Sequence, residues 1–215
     1  MAERGYYENI RERVDKAEAD GALIQYERTD WKGVEENART DEERDAVRAF
    51  GDSISDRYLP LHILDLGWQC QPESVLDEVG PDWQLIDAGA MNLVRLYGPR
   101  RMMLAPQVTQ PKKQITQLSR LKPGSMPFRL ARNAMMNSYL ALFDRNRQKN
   151  PSEDPIDQLV IYTYRELCAA LAILDTDRDV VSMWGGAHLW GLDEVLTRNQ
   201  FVLTDSEWIT AVRKE

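Results

Sequence analysis

Residues 180–188 read Val-Val-Ser-Met-Trp-Gly-Gly-Ala-His, and this stretch is the strongest indicator of the fold. From Asp177 to Trp184 the chain is mostly apolar, which predicts a strand that is central in a sheet covered on both faces. The glycine pair breaks the strand, because glycine allows positive φ and a close approach of backbone amides to a ligand. His188 is therefore expected at the mouth of a polar pocket.

Two shorter apolar segments, residues 22–26 and 83–86, predict further strands. Helical spacing of apolar residues predicts the helices, at residues 5–20, 40–50, 72–79, 155–174 and 189–196. Residues 201–203 and 208–212 read as a closing hairpin or as edge strands. We expect an α/β fold with a central mixed or mostly parallel sheet flanked by helices.

The middle of the chain has a different character. Residues 91–150 are rich in Met, Arg and Gln and are interrupted by prolines, which predicts a helix-rich insertion or a cover over one edge of the sheet. No obvious break divides the 215 residues. A single domain over residues 1–215 is therefore the expectation.

Charge and composition limit the partners. The net charge of −8 argues against nonspecific binding to nucleic acid or to an anionic membrane, since both require a surplus of Lys and Arg. The basic residues between positions 95 and 132 read as a solvated face, or as a surface for an acidic partner or an anionic substrate group. With no long apolar run and no signal-peptide pattern, we expect a cytoplasmic protein.

Motifs for cofactors and metals are missing from the sequence. The two cysteines, Cys70 and Cys168, stand in no CxxC or metal-ligand spacing. The chain also lacks GxxxxGK[ST], GxGxxG and GxSxG, which argues against a phosphate loop, a dinucleotide site and a serine-hydrolase elbow. We expect neither a cofactor nor a bound metal.

Ionisable side chains follow each predicted strand. Glu27, Asp87 and His188 stand at the carboxyl ends of three strands, where ligands bind in open α/β sheets. Each also has a structural interpretation, as a turn residue, a helix cap and a hydrogen-bonded imidazole respectively. Arg165, on the long helix before the last strand, would need a carboxylate partner such as Glu27 or Asp87 if it is buried. On the surface it would pair with Asp157 or Glu166 instead.

Three further residues complete the predicted pocket. Gly185 and Gly186 are candidates for an anion or oxyanion site, although a tight turn between strand and helix explains them equally well. His62 lies in the apolar segment of residues 60–66 and is a candidate for substrate binding.

The late segment Gly185-Gly186-Ala187-His188 resembles the GxxH motif of the TraB/Tiki superfamily, which includes Tiki proteases, erythromycin esterases and ChaN-like haem-binding proteins. Residues 6–27 are similar to that family's first helix and its glutamate-bearing strand, and Arg165 is similar to its arginine ahead of the final GxxH. The chain lacks the family's first GxxH strand. The resemblance therefore implies the scaffold and its pocket, but an incomplete pair of metal-binding histidines.

Three functions are compatible with these patterns. The first is a metal-independent enzyme on a small-molecule substrate, with His188, Glu27 and Asp87 as catalytic residues and Arg165, Gly185, Gly186 and His62 as substrate-binding residues. It would catalyse an elimination or an intramolecular cyclisation with loss of an anionic leaving group, in biosynthetic tailoring. The second is a metal-assisted ester or peptide hydrolase. The third is a noncatalytic subunit that binds a protein partner or forms a homodimer.

Overall fold

The computed structural model describes residues 4–64, 79–104, 120–122, 125–131, 133–134, 137, 154–207 and 209, with only the backbone described at residues 53–64 and 187. Its main helices are α1 (Arg4–Ala19), α2 (Asp41–Leu64), α3 (Ala90–Tyr97), α4 (Pro99–Leu104), α5 (Tyr164–Leu174) and α6 (Leu189–Arg198). A short turn, Pro155–Asp157, and a π-helix, Gln158–Thr163, lead into α5. The strands are β1 (Leu23–Tyr26), β2 (Gln84–Leu85) and β3 (Val180–Met183).

The three strands form a small parallel sheet in the order β2-β1-β3. Tyr26 is in register with Leu85 on one side and with Met183 on the other. The prediction of a parallel sheet between helices is therefore confirmed at this coarse level. The prediction that the last strand is central is wrong, because β1 occupies the centre and β3 lies at an edge among the described strands.

Burial explains why β1 is the central strand. All four of its residues are buried, including the polar Gln25, which is 0% exposed. Ile24 and Tyr26 pack against Tyr7 and Val14 of α1, on one face of the sheet. Gln25 points to the opposite face, where its amide donates to the carbonyl of Ala172 in α5 at 3.1 Å. This alternation is the two-residue period of a strand covered on both faces.

Several predicted elements differ from the structure in extent. The short helix predicted at residues 40–50 continues to Leu64. One bond of its capping box is present, from the Glu43 amide to Thr40 Oγ1 at 3.1 Å, but the Glu43 carboxylate accepts from the amide of Arg39. The strand predicted at residues 83–86 is only two residues long. Residues 201–203 are exposed and are not a strand among the described residues, which differs from the strand predicted there.

In the middle region the helical prediction holds where the structure describes it, namely in α3, α4 and residues 126–131. The remainder of that region, the helix predicted at residues 72–79 apart from a non-helical Val79, and most of residues 208–212 lie outside the described residues. Among the described helices, none is long and apolar enough to span a membrane.

Candidate functional site

The parallel sheet brings two carboxylates together at one edge. Glu27 follows β1 directly, and its amide donates to the carbonyl of Met183 at 2.9 Å, which extends the ladder with β3. Asp87 lies two residues beyond β2, where the Ile86 amide donates to the carbonyl of Tyr26 at 3.2 Å. The Asp87 side chain is 0% exposed and that of Glu27 is 13% exposed. Charged groups buried to this degree require a partner.

Arg165 of α5 is that partner for both carboxylates. Its Nε and Nη2 donate to the two oxygens of Asp87 at 2.7 and 2.6 Å, and Nη2 also donates to Glu27 Oε1 at 2.6 Å. Burial alone would lower the pKa of Arg165, but the hydrogen bonds and charges of Asp87 and Glu27 outweigh it and raise the pKa above its ordinary value. Arg165 is therefore a permanent cation that ties two strand ends to one helix.

His188 ends the 3₁₀ turn Gly186–His188 that precedes α6, and it is 4% exposed. Its Nδ1 lies 3.3 Å from Glu166 Oε1, and its Nε2 lies 3.3 Å from Nη1 of Arg165. Since an arginine can only donate, the contact to Nε2 is a hydrogen bond only when that nitrogen carries a lone pair. For the neutral ring, the geometry thus favours the tautomer with the proton on Nδ1, donated to Glu166.

Two aromatic side chains enclose the imidazole. Tyr162 lies with its ring centroid 5.4 Å from that of His188, and Trp184 lies at the same distance with its ring nearly perpendicular. Tyr162 belongs to the π-helix, and Arg165 and Glu166 follow it three and four residues later, so that all three share one face of the helical run. A π-helix next to such a cluster is a frequent feature of functional sites.

The two glycines of residues 185–186 have different surroundings. Gly185 has φ −59°, so a positive φ does not explain it. A Cβ at position 185 would lie 3.0 Å from Glu27 Oε2, and the Gly185 amide donates to that oxygen at 2.5 Å. Glycine is needed here for close approach, and its amide binds the internal carboxylate of Glu27. Gly186 is exposed and has open space around it.

Arg165 is also less available to a substrate than the sequence suggested. Four of its five N–H donors point to Asp87, Glu27 and His188. His62 lies in α2, but its side chain falls outside the described part of the chain. The structure thus brings together Glu27, Asp87, Arg165, Gly185 and His188, and it does not place His62.

A cavity of about 320 Å³ opens at the same edge of the sheet. Asp30 and Gly89 line it, three residues after Glu27 and two residues after Asp87 respectively. A chain advances at most about 3.6 Å per residue, so the Cα atoms of Asp30 and Glu27 are within about 11 Å of each other. The cationic side chains that line the cavity are Lys32, Arg39 and Arg95.

None of the cluster residues lines that cavity. Arg95 is held by Glu43, to which its Nε donates at 3.0 Å, whereas Lys32 and Arg39 are exposed. The hydrogen bonds from Arg95, and one from the backbone of Arg39, lower the pKa of Glu43 to about 2. The two exposed cations are therefore the side chains of this cavity that are best placed to meet an anionic group.

Two residues of the site were not predicted. Glu166 was considered only as a surface partner of Arg165, but it is 6% exposed and contacts His188. Gly191 lies in α6 beside the Glu166 carboxylate, at a point where a side chain would overlap it. A glycine within a helical pattern, Leu-Trp-Gly-Leu, was the available signal for this close contact.

The described residues do not fit a metal site. No group of three or more His, Cys, Asp or Glu side chains among them has a ligand arrangement. Both carboxylates at the strand ends bind the Arg165 guanidinium at 2.6–2.7 Å, so a metal cation there would face a permanent positive charge.

Comparison of the chain with protein-family models, with curated proteins and with solved structures finds no match.

Proposed function

We propose that the cluster of Glu27, Asp87, Arg165, Glu166 and His188 is the acid–base centre of a metal-independent enzyme that acts on a small molecule. One observation carries the proposal: a buried imidazole has a carboxylate on Nδ1 and a second carboxylate 3.6 Å from Nε2, at the carboxyl ends of parallel strands. The resemblance to the TraB/Tiki scaffold is part of this proposal, and the meeting of His188 with Glu27 and Arg165 supports it.

His188 is the proton-transfer group in this proposal. A substrate C–H, O–H or N–H that displaces the 3.3 Å contact of Arg165 gives its proton to Nε2. The imidazolium that forms then lies between Glu166 on Nδ1 and Glu27 near Nε2, and the two carboxylates stabilise its charge. Asp87 and Arg165 hold Glu27 in place, so they are positioning residues.

The cavity supplies the substrate side of the proposal. A substrate group that is already anionic before it leaves as X⁻ is bound by Lys32 and Arg39, which are exposed beside the cavity. In an elimination, the electrons of a C–H bond form a double bond as X⁻ departs. In a cyclisation, an internal oxygen or nitrogen displaces X⁻. Both reactions release HX overall, whereas a hydrolysis adds water.

This mass balance provides the test. The purified protein is incubated with small-molecule extracts of the cells that produce it, and reactants and products are compared by untargeted mass spectrometry. We expect a product lighter than its substrate by the mass of HX, formed by the wild type and lost in His188→Gln. Arg13→Ala is the matched control, because Arg13 of α1 forms an exposed ion pair with Glu207. Conversion by His188→Gln at the wild-type rate, or products that have gained water, would contradict the proposal.

A noncatalytic subunit is the second candidate, because α5 has an apolar face that is exposed. Leu167, Leu171 and Leu174 recur at helical spacing and are 42%, 63% and 39% exposed. A second copy of the chain would bury this face in a homodimer. Light scattering tests this: the candidate requires a dimer that Leu171→Glu dissociates, and a wild-type monomer rules out the homodimer.

A further inference from the structure

The Glu166 side chain contacts His188 by passing over α6 at Gly191, where the neighbouring helix has no side chain. Helices α5 and α6 pack through Ala169, Ala170 and Leu192, and Gly191 lies directly against the Glu166 side chain. A Cβ at position 191 would overlap Oε2 of Glu166 and lie 2.8 Å from Oε1, closer than real Cβ atoms come. The carboxylate therefore occupies the space in which any other residue at position 191 would place its side chain.

This glycine is unfavourable for the helix that contains it. Gly191 lies inside α6, where glycine is a poorer helix former than alanine because of its backbone entropy. Its φ does not fall in the left-handed region, so no special backbone conformation explains its presence. Space for Glu166 is the remaining physical reason.

We propose that Gly191 is a positioning residue, which admits the Glu166 carboxylate to Nδ1 of His188 and so fixes the imidazole as its Nδ1–H tautomer. The inference deepens the proposed function, on which its catalytic consequence depends. The tautomer matters because it leaves the lone pair on Nε2, the nitrogen that would take the substrate proton.

The inference makes Gly191→Ala a selective perturbation. The atom that the new methyl group displaces is the end of a flexible side chain, so the Glu166 carboxylate moves while the backbone stays in place. No charge is added or removed. Without its acceptor on Nδ1, the ring loses the contact that selects its tautomer.

Nitrogen NMR of the protein with ¹⁵N-labelled histidine measures this directly. The chain has two histidines, so the spectrum contains two rings, and His62→Gln assigns them. In the wild type we expect His188 to show a protonated Nδ1 and an unprotonated Nε2 in its neutral form. In Gly191→Ala we expect that pattern to give way to mixed tautomers, and turnover to fall by about 10²-fold.

The matched control is a second helix glycine. Gly51 lies inside α2, and a Cβ there would meet Trp31 at 3.5 Å, an ordinary contact distance. Gly51→Ala therefore has the same effect on helix propensity as Gly191→Ala without displacing a carboxylate. We expect it to leave the His188 spectrum and turnover unchanged.

Variants at Glu166 complete a double-mutant cycle with Gly191→Ala. Glu166→Ala alone should produce the same loss of the Nδ1–H signal, and adding Gly191→Ala to it should change nothing further, because the group that the methyl displaces is gone. Glu166→Gln should retain the tautomer, since its amide oxygen still accepts from Nδ1. If Gly191→Ala alone fails to fold, the double variant, which has no overlap, should fold.

A wild-type His188 spectrum in Gly191→Ala, or in Glu166→Ala, would overturn the inference. The proposed function fails by a different result, namely unchanged turnover in His188→Gln. A changed tautomer together with unchanged turnover in Gly191→Ala would keep the positioning role and contradict the catalytic use of His188. The two failures are therefore distinguishable.

Discussion

Arg165 and Arg13 each donate two hydrogen bonds to one carboxylate, but in opposite surroundings. The Arg165 side chain is 12% exposed and joins the ends of β1 and β2 to α5, whereas the Arg13 side chain is 50% exposed and pairs with Glu207 on the surface. Water can replace the partner of Arg13 when the pair is broken. It cannot readily do so for Asp87, whose side chain has no exposed area. The exposed pair of Arg13 should therefore contribute little to the stability of the fold, whereas breaking the buried pair of Arg165 should cost much more.

The largest effect is expected on turnover. His188→Gln removes the proton-transfer group but keeps a polar side chain of similar length, so turnover should fall by about 10²–10⁴-fold. Steady-state kinetics on the substrate identified by mass spectrometry measure this. A fall in substrate affinity with unchanged turnover would instead indicate that His188 only binds the substrate.

The next effect is on stability. Arg165→Ala removes the guanidinium that neutralises the buried Asp87 and Glu27 carboxylates, which should cost about 3–5 kcal/mol of unfolding free energy in urea denaturation. Arg165→Lys keeps the charge but loses the fork of donors, so its loss should be smaller than that of the alanine variant. A loss below about 1 kcal/mol in Arg165→Ala would show that this buried pair contributes no more to stability than an exposed pair, and would contradict the prediction.

A smaller effect is expected at the cavity. Removing both exposed cations, with Lys32→Ala and Arg39→Ala combined, should raise KM for an anionic substrate and make it less sensitive to salt, while turnover changes little. Kinetics at low and high ionic strength test this. A fall in turnover with unchanged KM would contradict a binding role for these side chains.

The smallest effect concerns pH. The pKa of Glu43 is lowered to about 2 in the folded chain, so its contact with Arg95 stabilises the fold fully above its ordinary pKa of 4.5. That contribution is lost as the pH falls through about 2. The difference in melting temperature between the wild type and Glu43→Gln should therefore shrink as the pH falls from 4.5 to about 2. A difference that stays constant down to the lowest pH would refute the assignment, and Glu36→Gln, at an exposed carboxylate nearby, is the control.

The convergence at the strand ends could be expected from the sequence. Glu27, Asp87 and His188 each follow an apolar segment, and parallel strands end at a common edge. Arg165 could be expected as their partner, because a buried arginine requires carboxylates. These inferences depend on local sequence patterns and on one general rule about parallel strands, and neither requires knowledge of how side chains pack.

The remaining features depend on packing between distant segments. Glu166 and Gly191 are 25 positions apart on two helices. Glu166 requires a glycine at position 191 only because α5 packs against α6. Strand order has the same origin: β3 has the more conspicuous apolar run, but β1 is central because α1 and α5 cover its two faces. The exposed apolar residues 201–203 have the composition of a strand but no neighbouring strand to pair with among the described residues.

The tautomer of His188 in the wild-type protein tests the central claim most directly. If the imidazole is held between Glu166 and Arg165, the ¹⁵N spectrum of its neutral form will show the proton on Nδ1, in a hydrogen bond that protects it from exchange with water. A ring with its proton on Nε2, exchanging freely with solvent, would contradict the account.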